Sequence, residues 1–121
     1  MKIMIVDDNA DVRALLSLQL TTLGATPILC HDGMDAVEQY KLQNPDAVFM
    51  DIAMPEMDGL QATERIRSID ENACVYIVTA YSDDMLRRAA RAAGAKGFYL
   101  KDNLESLFAQ IRRQANSTRP V

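Results

Sequence analysis

The chain has 121 residues, 49% of them hydrophobic and 25% charged, with a formal net charge of −4. That size and balance fit one globular domain; the negative charge argues against direct nucleic-acid binding and against anionic membrane surfaces, and no apolar run reaches the ~20 residues that span a bilayer. The apolar stretch before Asp7 and Asp8 is too short for a signal peptide, and Cys30 and Cys74 make no disulfide framework, so a cytoplasmic protein with reduced thiols is expected.

The first predicted element is a strand, Ile3–Val6, followed by a helix over roughly Ala10–Leu23. Asn9 is placed to cap that helix and Gly24 to end it, while Val12, Leu15, Leu16, Leu20 and Leu23 form a stripe at helical spacing. Strand Ile28–Cys30 and helix Met34–Leu42 come next, then strand Ala47–Met50 and helix Gly59–Ile69. Strand Val75–Val78 leads through Ser82 into helix Asp83–Ala93, which Gly94 ends. The last pair is strand Phe98–Leu100 and helix Leu104–Gln114. Residues 1–115 are expected as one domain, and 116–121, with Ser, Thr, Arg and Pro, as an unstructured tail or the start of a linker.

Short Ile/Val-rich strands alternating with amphipathic helices predict an α/β, doubly wound, five-stranded parallel sheet whose strands are buried on both faces. In such sheets the ligand site lies at the carboxyl ends of the strands. Those ends carry Asp7 and Asp8, Asp51, Thr79 and Lys101. Clustered carboxylates repel unless a cation intervenes, and an all-oxygen anionic site suits a hard divalent ion such as Mg²⁺. A lysine and a hydroxyl beside it can hold phosphoryl oxygens, and an in-line aspartate can act as nucleophile. Singly, each residue has an ordinary reading as a cap, a strand residue or a solvated charge; together they point to phosphoryl transfer.

Asp7-Asp8, Asp51-Ile52-Ala53-Met54-Pro55-Glu56-Met57-Asp58-Gly59, Thr79-Ala80 and Lys101 resemble, as a set, the receiver domains of response regulators in two-component signalling, the CheY-like family. The resemblance runs to about Gln114 and implies a flavodoxin-like fold with strand order 2-1-3-4-5. It implies that Asp51 accepts a phosphoryl group from a histidine kinase phosphohistidine. Asp7, Asp8, Asp51 and the Ala53 carbonyl would bind Mg²⁺, and Thr79 and Lys101 the phosphoryl oxygens. Phe98 would be an aromatic switch that follows Thr79. The chain would not be an enzyme on other substrates, catalysing only its own phosphorylation and dephosphorylation. The fourth helix, fifth strand and fifth helix, carrying Arg87, Arg88, Arg91, Lys96 and Tyr99, would meet a downstream protein or output domain, or a second copy in a phosphorylation-dependent homodimer.

In two places the sequence bears on details of that pattern. The family usually has a cis-proline after its lysine, where Asp102 stands here. A non-proline cis bond costs about 2.5–4 kcal/mol, so the bond is either strained or trans, and the position of Lys101 depends on which. Asp102 or Asn103 can then cap the last helix. Ala53 and Tyr81 occupy positions that set phosphoryl lifetime in the family, and a side chain of one methyl with a shielding aromatic predicts slow self-dephosphorylation. The run Gly97-Phe98-Tyr99-Leu100-Lys101-Asp102 is similar to receivers that precede helix-turn-helix DNA-binding domains. Rival readings are weaker: an aspartate-dependent phosphatase needs an acid where Ala53 stands, a flavin module needs a phosphate-cradling turn where Asp7-Asp8-Asn9 stands, and a scaffold receiver would lack part of the acceptor set.

Overall fold

The computed structural model describes residues 1–117. Five strands, β1 (Lys2–Val6), β2 (Thr26–Cys30), β3 (Ala47–Met50), β4 (Val75–Thr79) and β5 (Gly97–Leu100), alternate with α1 (Ala10–Thr22), α2 (Gly33–Gln43), α3 (Gly59–Ile69), α4 (Asp84–Ala93) and α5 (Glu105–Ser117). All pairings are parallel and the order is β2-β1-β3-β4-β5, the doubly wound arrangement expected. The order reverses between β1 and β3, where Val6 pairs with Met50.

Alternation along the central strands divides the core into two layers. Met4, Val6, Val48, Met50, Val75 and Ile77 face α2, α3 and α4 through Ala36, Tyr40, Ala62, Ile66 and Ala90. Ile3, Ile5, Phe49, Tyr76 and Val78 face α1 and α5 through Leu16, Leu20, Leu107 and Ile111. Each fully buried aliphatic contributes about 1.5–3 kcal/mol, so the two faces together hold β1, β3 and β4 rigidly. Burial on both faces is confined to these three strands. β2 and β5 are edges, and Leu29 on β2 is 50% exposed.

Several boundaries differ from the sequence reading. β2 starts two residues early and takes in Pro27, which an edge strand tolerates because its missing N–H need not serve a second neighbour. Asp83, not Ser82, caps α4, its carboxylate accepting from Met85 N at 2.7 Å. Asn9 caps α1 as expected, accepting from Asp11 N and Val12 N. Of the α1 stripe only Leu16 and Leu20 are buried, while Leu15 is 58% exposed. Neither Asp102 nor Asn103 is the residue before α5; that is Leu104, whose carbonyl accepts from Phe108 N at 2.9 Å. Helical backbone continues through Ser117, two residues into the expected tail, and 118–121 lie outside the described residues.

Candidate functional site at the carboxyl edge of the sheet

β1 delivers Asp7 and Asp8 above the switch point. The Asp7 amide donates to Cys30 O at 3.2 Å, its Oδ1 accepts from Asn9 N at 2.9 Å, and its carbonyl accepts from Arg13 Nη1 at 2.6 Å. Asn9 therefore does two jobs, starting α1 through its side chain and fixing the Asp7 carboxylate through its amide. Asp7 is buried and Asp8 exposed.

β3 ends beside it. The Asp51 amide donates to Val6 O at 2.9 Å, which extends the β1–β3 ladder by one rung and sets the two aspartates side by side. The loop after Asp51 folds back so that Gly59 N donates to Ile52 O at 2.9 Å. A Cβ on Gly59 would stand 1.8 Å from the Asp51 carbonyl oxygen, so only glycine lets α3 start against the acceptor strand. Asp58 caps α3, accepting from Gln61 N at 2.9 Å. Glu56, in the same loop, sits at φ 67°, a left-handed conformation for a residue with a side chain.

Asp7, Asp8 and Asp51 each offer a carboxylate oxygen, and these atoms lie within 4.8 Å of one another. Lys101 closes the group: its Nζ is 2.8 Å from Asp7 Oδ2 and 3.4 Å from Asp51 Oδ2. The Lys101–Asp102 bond is trans, since the described residues contain no cis peptide bond. The trans bond does not displace the lysine, because its amide is held by Thr79 O at 2.9 Å. Asp102 in place of proline thus leaves the ammonium at the acids.

Burial, then the charge of Asp7, pushes the Asp51 carboxyl from an ordinary 3.8 to about 6, against the opposing pull of Lys101 and the Ile52 amide. For Lys101, burial works against the ammonium, but the Asp7 hydrogen bond and the two carboxylate charges outweigh it and raise its pKa. The pocket therefore has more negative charge than one lysine can neutralise. The donors are all oxygen, multiply anionic and partly open through Asp8, which fits a hard divalent cation such as Mg²⁺.

The remaining predicted residues are less closely bound to that cluster. Thr79 ends β4, fully buried, its Oγ1 accepting from Tyr81 N at 3.3 Å. Ala53 lies exposed in the loop after Asp51 and brings no side-chain ligand. Phe98 sits on β5 opposite Ile77, partly buried against the α2–α3–α4 layer, with the Arg87 guanidinium carbon 4.7 Å above its ring. The sequence reading missed Arg13, Asn9 as a carboxylate partner, and the close approach of Gly59, quoted only as part of a motif, to the Asp51 carbonyl. The position of Gly59, next to the Asp58 cap, was a visible signal for the last; Arg13 carried none, since its contact is to a backbone carbonyl.

Comparison with known proteins agrees with this geometry. The pattern of the response regulator receiver domain matches residues 3–112. The response regulator MprA of Mycobacterium avium is 34% identical over 121 residues, covering 99% of this chain and 53% of the relative. The chain thus spans about half the length of the curated relatives it matches. Among solved structures, Thermotoga maritima TrrA in complex with Mg²⁺ and BeF is 28% identical at a TM-score of 0.84, covering 93% of this chain and 96% of that one. A chain of the CheX–CheY–BeF3–Mg²⁺ complex from Borrelia burgdorferi is 31% identical at 0.83, covering 98% and 90%. Family pattern, strand order and neighbours coincide, and the chain belongs to the response regulator receiver domains of two-component signalling.

Proposed function

We propose that this domain accepts a phosphoryl group on Asp51 from the phosphohistidine of a histidine kinase in a Mg²⁺-dependent reaction, and that its α4-β5-α5 surface then engages a partner or output domain. The observation that supports this best is Lys101 Nζ between Asp7 and Asp51, at 2.8 and 3.4 Å, beside three carboxylates within 4.8 Å. Asp7, Asp8, Asp51 and the Ala53 carbonyl would hold the Mg²⁺. That ion would supply charge neutralisation for the carboxylates and the phosphoryl oxygens.

The chain's own groups do the rest. An Asp51 carboxylate oxygen attacks phosphorus; the new P–O bond forms as the P–N bond to the donor ring breaks, and that ring, already protonated on its other nitrogen, leaves as neutral imidazole. Asp51 must be ionised to attack, so the Lys101 charge that counters its raised pKa also favours the nucleophilic form. Lys101 and the Thr79 hydroxyl then bind phosphoryl oxygens, and Phe98 follows Thr79. Turnover is confined to the domain's own acyl phosphate, since Ala53 offers no acid for a leaving group. Its bare methyl also positions no attacking water. The acyl phosphate should therefore persist for minutes or longer, and Ala53→Asn should shorten its lifetime about tenfold in a phosphate-release assay.

Transfer of ³²P from an autophosphorylated histidine kinase domain tests the reading. Label should reach the wild-type chain with Mg²⁺ and fail to reach Asp51→Asn. Equal labelling of that variant would place the acceptor elsewhere.

A further inference from the structure

The Asp7–Asp8 peptide joins the buried acid of the pocket to the exposed one, and the two acids are held very differently. Asp7 is tied down by its amide, at Cys30 O, and by its carboxylate oxygens, at Asn9 N and Lys101 Nζ. Asp8 is exposed, and among the described residues its carboxylate has no hydrogen bond and no ion pair. Even so, it brings an oxygen within 4.8 Å of those of Asp7 and Asp51. With no contact of its own, that carboxylate is placed by its backbone. Of the polar groups of the Asp7–Asp8 peptide, the amide has no partner among the described residues, while the carbonyl accepts from Arg13 Nη1 at 2.6 Å.

Arg13 reaches that carbonyl as part of a closed ring. Its own amide donates to Asn9 O at 3.1 Å, the Asn9 side chain caps α1, and the Asn9 amide donates to Asp7 Oδ1 at 2.9 Å. Asp8 lies in the turn that this ring encloses. The partly buried guanidinium makes no ion pair within 4.0 Å, so it grips the turn through a backbone oxygen and leaves every carboxylate oxygen to a cation. Lys101 does the reverse, standing against Oδ2 of both Asp7 and Asp51.

We infer that Arg13 is a positioning residue for the divalent cation: by fixing the plane of the Asp7–Asp8 peptide it aims the Asp8 carboxylate at the site before the ion arrives. A carboxylate left to swing in water must be ordered when it binds, and a preset orientation removes that cost. Hydrogen-bond partners of metal-binding residues commonly carry about ten- to hundredfold of metal affinity. The guanidinium charge acts in the opposite direction, by repelling the cation, so the sign of the effect separates the two roles of Arg13. The inference rests on the Mg²⁺ reading above and adds which residue sets the affinity.

The test is titration of the ¹⁵N-labelled chain with MgCl₂, followed by the amide shifts of Asp7, Asp8, Asp51 and Ala53, beside ¹⁵N relaxation of Asp8 without metal. Arg13→Gln, which keeps bulk but not reach or charge, should raise the Mg²⁺ Kd about tenfold or more. Its Asp8 amide should also be more mobile than in the wild type before any metal is added. Arg13→Lys, which can still donate to the carbonyl, should recover most of the affinity. An unchanged Kd in Arg13→Gln would overturn the inference, and a lower one would show that Arg13 acts only by repelling the ion. Weaker binding with unchanged Asp8 mobility, or an Arg13→Lys variant as weak as Arg13→Gln, would also overturn it, by tracing the loss to something other than the carbonyl contact. If Mg²⁺ shifts none of these amides in the wild type, the metal reading itself has failed and the role of Arg13 falls with it.

Discussion

The acid pocket and the α4–β5 face border the same sheet, yet the polar groups of the first are held inside the chain and the cations of the second are not. Asp7 has four polar contacts, Asp51 is held by Val6, Ile52 and Lys101, and Thr79 and Lys101 are fixed through β4. Arg87, Arg91 and Lys96 project from an exposed helix and an edge connection, with the Arg87 guanidinium over the Phe98 ring and, among the described residues, no ion pair to any of the three. Chemistry that depends on distances of a few ångströms needs an overdetermined frame. A surface that must change affinity needs groups that are not already satisfied. The pocket sits on the central strands and the face beside an edge strand, which is where rigidity and freedom are available.

The largest expected effect comes from breaking the frame itself. Gly59→Ala forces a methyl onto the Asp51 carbonyl and should cost about 3 kcal/mol in urea denaturation, with loss of phosphoryl uptake. Unchanged stability would show that the loop after Asp51 yields and that the pocket is less constrained than its hydrogen bonds imply.

Next is the charge strain inside the pocket. Because Asp51 is raised from 3.8 to about 6, the folded state holds its proton more tightly than the unfolded chain. That contribution to stability is fully present below pH 3.8 and is lost as pH rises through about 6. Asp51→Asn removes the dependence. The variant should match the wild type near pH 4 and exceed it by about 1–3 kcal/mol at pH 7. Added Mg²⁺ should narrow the gap by stabilising the wild type. A variant less stable at pH 7 would mean that Lys101 already balances the site.

The smallest effect is expected on the other side of the comparison. Arg87→Gln/Arg91→Gln removes two like charges from an exposed helix and should move stability by no more than about 0.5 kcal/mol. A loss of several times that would show that these arginines are structural.

The central architecture was legible because β1, β3 and β4 are short, apolar and buried on both faces, and each ends abruptly in a polar residue. Asp7, Asp51 and Thr79 could be named from that pattern, and Lys101 from the polar end of the edge strand β5; the first two and the lysine do converge. The edges were less legible. Pro27 hid the start of β2 because a proline reads as a break unless the strand is known to lie at an edge, which is a property of the sheet. Ser82 and Asp83 are both good caps, and only the helix's first hydrogen bond separates them. The position of Lys101 turned on the ladder bond of its amide to Thr79 O, and the Arg87–Phe98 contact on packing between α4 and β5; neither has a local sequence signal.

The most direct test of the central claim is the intact mass after incubation with acetyl phosphate and Mg²⁺, with Asp51→Asn alongside. The account predicts a gain of one phosphoryl unit, roughly 80 Da, in the wild type that is lost with EDTA and in the variant. No gain in a folded wild-type chain, or an equal gain in the variant, would contradict it.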